Sequence, residues 1–145
     1  MDDIESRASS QAVQAHLGIL QGVIQRMASN SASCKGWCIT LVAALLVVVA
    51  DKGKPQLALI ALIPTLLFLA LDAYYLALEK AFRRSYNHFI EKLHSAQLQA
   101  SDLYVVEPEG AVTRLALSAL LSFSIWPFYG TLLVMVCLAR LYVIP

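Results

Sequence analysis

Residues 56–78 read QLALIALIPTLLFLALDAYYLAL. A bilayer crossing takes about 20 predominantly apolar residues, with a range of about 17–25, and this run meets that length with one charge in it, Asp72. A carboxylate in such a run is costly unless it is paired, hydrated or protonated. A second apolar run, residues 36–50, comes before it and is itself preceded by Lys35. Between the two lies a short polar turn, Asp51-Lys52-Gly53-Lys54-Pro55. In an antiparallel hairpin about Gly53, position i faces roughly position 106 − i. Lys35 then falls opposite Leu71, one residue from Asp72, so an acid and a base sit at nearly the same depth.

Working outward, the composition matches this reading. Apolar residues make up 59% of the chain and charged residues 14%; soluble domains run nearer about 45–50% and about 25%. The mean hydropathy is +0.65. A third apolar segment spans residues 115–139. The first run is short for a crossing, and the small residues Ser31, Ala32, Ser33 and Cys34 extend it. The expected class is an all-α membrane protein with three transmembrane helices; the alternative is one soluble domain with buried helices. The polar stretch before the first run is too long for a signal-peptide n-region, so the first helix is expected to stay as an anchor.

Basic residues set the expected orientation. Arg7, Arg26, Lys35, Lys80, Arg83, Arg84, Lys92 and Arg114 lie on one side, and Lys52, Lys54 and Arg140 on the other. Cytoplasmic loops carry the excess of Lys and Arg. The N-terminus is therefore expected in the cytoplasm and the C-terminus outside. Trp37, Tyr74, Tyr75, Tyr129 and Tyr142 are candidate interfacial anchors, whereas Trp126 falls near the middle of the third segment.

The first two crossings extend beyond the membrane. Val13, Leu17, Leu20, Ile24, Met27, Ser31 and Cys34 repeat at heptad spacing and continue as Cys38, Leu41, Leu45 and Val48. Ser9 or Ser10 is placed to cap this helix. Phe82, Tyr86, Phe89, Leu93 and Ala96 continue the second run at the same spacing. The register sets Leu17 near Phe89, Leu20 near Tyr86 and Ile24 near Phe82. The expected architecture is a long helical hairpin over residues 11–100. Residues 35–50 and 56–78 lie in the membrane, and residues 11–34 and 80–100 form a coiled-coil-like cytoplasmic stalk. An alternative lays residues 80–100 on the membrane surface as an amphipathic helix. Pro64 is expected to kink the second helix. Residues 1–10 form a cap or tail. Residues 101–114, with Pro108-Glu109-Gly110 as breakers, return the chain to the bilayer, with Leu103-Tyr104-Val105-Val106 as a short extended piece. A third transmembrane helix follows at residues 115–141, kinked at Trp126-Pro127.

For chemistry, Asp72 has two readings: a structural partner of Lys35, or a proton or cation site in a pore. Its closeness to Glu79-Lys80, near the cytoplasmic interface, favours the structural one. Arg26, Glu79, Arg83 and Arg84 form an interfacial charged collar. Cys34 and Cys38 are read as small interface residues, and three cysteines are too few for a disulfide framework. His16 and His94 are placed to approach each other, and no metal site is expected from the histidines. There is no phosphate loop, HExxH, GxSxG or CxxC motif, so neither an enzyme nor a cofactor is expected. With a net charge of +1, no nucleic-acid role is expected. Ser118, Ser122 and Gly130 allow close helix approach in lipid, and a heptad stalk suits a symmetric homo-oligomer.

The stretches Met27-Ala28-Ser29-Asn30-Ser31, Lys35-Gly36-Trp37 and Thr40-Leu41, with Leu71-Asp72-Ala73-Tyr74-Tyr75 followed by Glu79, Phe82 and Tyr86, resemble short bacterial multi-pass inner-membrane proteins. The resemblance covers residues 15–90. Some members of that group sit near anti-phage defence or signalling genes, so the resemblance implies a bacterial inner-membrane protein and a role as a defence effector. It transfers no functional residues.

The expected function is a homo-oligomeric membrane effector or pore-forming component, controlled through its cytoplasmic helices. The alternative is a non-conducting scaffold or anchor for a cytoplasmic protein partner, and a small transporter is a third reading.

Overall fold

The computed structural model describes residues 10–143, with only the backbone described at Pro55, Tyr142 and Val143. Arg7, Ser9 and the rest of the 1–9 tail lie outside the described residues, as does the side chain of Tyr142. The secondary structure of the described residues is helical, without strands. The first helix, α1, runs unbroken over Gln11–Lys52. Ser10 caps it by accepting a hydrogen bond from the Val13 amide at 3.3 Å. Gly53 ends it in the left-handed region at φ 60°, with its amide donating to the Ala50 carbonyl; glycine takes that conformation without a Cβ penalty.

The second helix departs from the single rod expected to reach Ala100. Pro55–Ala61 winds as a 3-10 helix, and the α-helix proper, α2, covers Leu62–His94. Pro64 does not kink a helix interior. It falls in the first turn of α2, where amides have no intrahelical acceptor. The helix ends at His94 because Ala96 turns left-handed at φ 55°. Among the described residues, two helical segments are long and apolar enough to cross a membrane: Gln11–Lys52, and Gln56–His94, which joins the 3-10 turn to α2.

The two helices pack antiparallel, but the heptad seam is not kept along α1. Its buried positions are Val13, His16, Leu20, Ser31, Cys34, Cys38, Val42 and Val49. Val42 and Val49 are buried where the heptad reading had Leu41 and Val48, and Leu41 and Val48 are exposed. The stripe follows the period of a straight helix, about 3.6, rather than the 3.5 that imposes a supercoil. On α2, Phe82, Phe89 and Leu93 are buried, Tyr86 is half-buried, and Ala96 lies beyond the helix.

The third apolar segment is two helices rather than one. Helix α3, Val112–Leu120, packs Leu115 against Ala77 and Ala81 of α2. The chain breaks over residues 121–125, and α4 covers Trp126–Leu138. Trp126 is therefore the exposed first residue of a helix, not the middle of one. Pro127 has no amide to donate and stands in the first turn of α4, where amides have no intrahelical acceptor. Ala119, Ile125, Tyr129, Leu132 and Val136 bury against Cys38, Val42, Ala73 and Leu76, so the broken segment still closes the core.

Around this core the surface is apolar. Trp37, Val47, Val48, Ile63, Leu66, Leu67, Leu117, Leu121, Phe123 and Leu141 are all exposed. Soluble monomers rarely expose contiguous apolar patches larger than a few hundred Å².

Candidate functional site

Asp72 is fully buried on α2, at 0% exposure. The Ser31 hydroxyl of α1 donates a hydrogen bond to its Oδ1. Lys35 Nζ, one helical turn further along α1, lies 2.6 Å from Oδ2. That approach is an ion-pair contact rather than a directed hydrogen bond. Lys35 also donates to Ser31 Oγ at 3.4 Å, so the serine hydroxyl sits between ammonium and carboxylate. The i,i+4 spacing of Ser31 and Lys35 puts both on one helix face. The Lys35 side chain is 22% exposed, and its ammonium meets the buried Asp72 carboxylate. Tyr129 of α4 donates to the Phe68 carbonyl at 3.1 Å, and Asp72 is among its charged neighbours.

The structure therefore brings Lys35 and Asp72 together. The hairpin register in the sequence points to both, whereas Ser31 stands there only as a seam residue. Tyr129 carries no signal that links it to Asp72. Of the collar, Glu79 pairs with Arg83 at 2.9 Å along α2, while Arg26 and Arg84 are exposed. Of the stalk residues, Leu20, Phe82 and Phe89 are buried, and Leu17, Ile24 and Tyr86 are partly so. Gln21 Nε2 donates to Tyr86 Oη at 3.3 Å. Cys34 and Cys38 are buried free thiols, and Cys137 is exposed. No group of three or more His, Cys, Asp or Glu among the described residues is arranged to hold a metal.

The polar ends of α1 and α2 form a head that the sequence does not foretell. Residues 95–111 lead from the end of α2 back to α3. They fold back along α2 as a strap. Lys92 pairs with Asp102 at 2.9 Å, Ser85 donates to the Glu107 carbonyl at 2.7 Å, and the Glu109 amide donates to the Ala81 carbonyl at 3.4 Å. His88 Nδ1 lies 3.3 Å from Glu109 Oε1.

His16 is the buried centre of the head, at 2% exposure. Its ring lies against Phe89, with centroids 4.3 Å apart. Its Nδ1 accepts from the Tyr104 amide at 3.0 Å, which holds Tyr104 at a left-handed φ of 64°. His94, expected near His16, is exposed at the end of α2.

An Nδ1 that accepts must be unprotonated. Burial pushes the His16 pKa below its ordinary 6.5, with the Asp102 carboxylate opposing. The hydrogen bond from Lys92 holds the Asp102 carboxyl below its usual value. As pH falls, the unfolded chain takes up the His16 proton before the folded one does. The contribution of His16 is therefore complete above about pH 6.5 and is lost as pH drops through its lowered value. The melting temperature of the detergent-solubilised protein should fall between pH 7 and pH 5. His16→Asn, which keeps an acceptor near the Nδ1 position, should flatten that fall. Equal slopes in the two proteins would contradict the assignment.

Comparison of the chain with protein-family models, with curated proteins and with solved structures finds no match.

Proposed function

We propose that this chain is a multi-pass integral membrane protein that acts as a non-conducting anchor or scaffold, presenting its strapped helical head to a cytoplasmic protein partner. The observation that carries this reading is the Ser31–Lys35–Asp72 cluster. Among the described residues, the buried carboxylate of the apolar half is paired with a base of the same chain. A carboxylate that lines a pore has to face water or a permeant ion, whereas Asp72 has no exposed surface. The exposed apolar surface supports embedding in lipid. The excess of basic residues at the head end supports a cytoplasmic N-terminus and an outer C-terminus, and the resemblance suggests a bacterial inner membrane.

A second reading is a homo-oligomeric, pore-forming membrane effector gated through the head, with the anti-phage role that the resemblance implies. One observation favours it. The third apolar segment is interrupted at residues 121–125, and the Ser122 hydroxyl there is buried without a hydrogen-bond partner. Discontinuous helices also mark transporters, the third reading.

Ion flux across liposomes holding the purified protein, with its oligomer mass measured in the same detergent, separates the readings. The anchor reading expects sealed liposomes. Flux from a defined oligomer, abolished by Asp72→Asn, would replace it with the pore.

A further inference from the structure

We propose that Arg26, Lys80, Arg84 and Arg114 form a binding site for the phosphate headgroups of anionic phospholipids. The proposal rests on the membrane reading above and adds a ligand to it.

The four cations come from three helices that the fold gathers at one level. Gln21 touches Tyr86 and Lys35 touches Asp72, and between those two contacts the antiparallel register sets Arg26 across from Lys80. Arg84 follows Lys80 by one turn of α2, about 6 Å along the axis. Its guanidinium lies beside Gly110 of the strap, with Nη1 3.3 Å from where a Cβ on that glycine would sit. Arg114 adjoins Leu115, which packs on Ala77 and Ala81.

None of the four makes a hydrogen bond or ion pair to another described residue. The acid at this level, Glu79, is already paired with Arg83. The nearby strap acid Glu109 lies against His88. Among the described residues the four cations therefore have no direct ion-pair partner, although Arg84 shares a surface hollow with Glu91 and Glu109; three of the four are exposed and Lys80 is half-buried.

What fixes the ligand class is the level at which the four cations sit. Toward the turn, the exposed apolar surface begins at once: Leu117 is one turn from Arg114, and Trp37 and Tyr74 follow at the levels where aromatic rings favour the membrane interface. Away from the turn the exposed surface is mostly polar, with Ile19, Tyr104 and Val105 as exposed apolar exceptions. A headgroup phosphate lies at that boundary with its acyl chains against the apolar belt, so one molecule meets both surfaces. A free phosphate meets only the cations. Each Lys or Arg near an anionic membrane surface contributes about a fivefold gain in affinity.

The test uses the full-length protein in a neutral detergent. Retention of phosphatidylglycerol against phosphatidylcholine is titrated by native mass spectrometry. The wild type should retain phosphatidylglycerol preferentially. Arg84→Gln and Arg114→Gln should each lower that affinity about fivefold, and the double variant about 25-fold. Lys52→Gln with Lys54→Gln, at the opposite end of the hairpin, should leave it unchanged. Arg84 and Arg114 are exposed and unpaired, so helix content by circular dichroism should match the wild type.

Equal retention of the two lipids, or phosphatidylglycerol binding that survives the double variant, overturns the site. Displacement of the lipid by millimolar inorganic phosphate overturns the choice of a lipid. A chain that stays monodisperse without detergent overturns the membrane reading instead, which keeps the two failures apart.

Discussion

Asp72→Ala should destabilise the folded protein by about 3–5 kcal/mol, the cost of leaving one member of a buried ion pair without its partner. The substitution strands the Lys35 ammonium beside the core and removes the acceptor of the Ser31 hydroxyl. Lys35→Ala should also destabilise, because it leaves a carboxylate with no exposure and only a serine to solvate it. The double variant Lys35→Ala with Asp72→Ala removes both charges and should recover part of the loss. Buried ion pairs replaced together are often close to neutral. Unfolding free energies of the four proteins in one detergent close the cycle. A coupling within the about 0.3–0.5 kcal/mol expected of independent sites would mean that the pair contributes no interaction of its own. Ser31→Ala separates the two supports of Asp72. It should cost less than Lys35→Ala, because it removes a neutral hydrogen bond and keeps the counter-charge.

The cycle also bears on function. If the pair is a lock that lets an acid sit in an apolar hairpin, its loss lowers stability in every assay. If Asp72 served a conduction path, Asp72→Asn would change flux at nearly constant stability, since the amide keeps shape and hydrogen bonding.

The hairpin is legible in the sequence because its signals are local and redundant. Asp51-Lys52-Gly53-Lys54-Pro55 combines a polar break, a glycine for the left-handed position and a proline for a helix start, and the structure turns at Gly53. With the turn located, counting outward brings Lys35 within one residue of Asp72. What the counting lacks is rotation. It treats the interface as a strict heptad, whereas α1 is straight, so the burial stripe passes from the heptad positions to His16, Val42 and Val49.

The end of α2 is illegible for a different reason. Neither glycine nor proline stands near His94, and the chain leaves the helix through Ala96, which pattern alone does not expect at positive φ. The strap is held by contacts far apart in the sequence, such as the Tyr104 amide on His16. The break in the third segment was half visible. Trp126-Pro127 marks the place, but a kink and a restart look alike until Ile125 is seen turned into the core.

The central claim is that the apolar half of this molecule faces lipid. Leu67 tests it most directly, because it is 57% exposed near the middle of the second apolar segment. On a soluble protein such a position tolerates lysine within about 0.5 kcal/mol. At the centre of a membrane-spanning helix the same change costs about 2.5–3.5 kcal/mol in insertion. Leu67→Lys should therefore sharply reduce the fraction of full-length chain that inserts, scored by a labelling reporter in the turn at residues 51–54. Gln25→Lys, on the exposed face of the head, should leave insertion unchanged. A Leu67→Lys chain that folds and fractionates like the wild type would contradict the account.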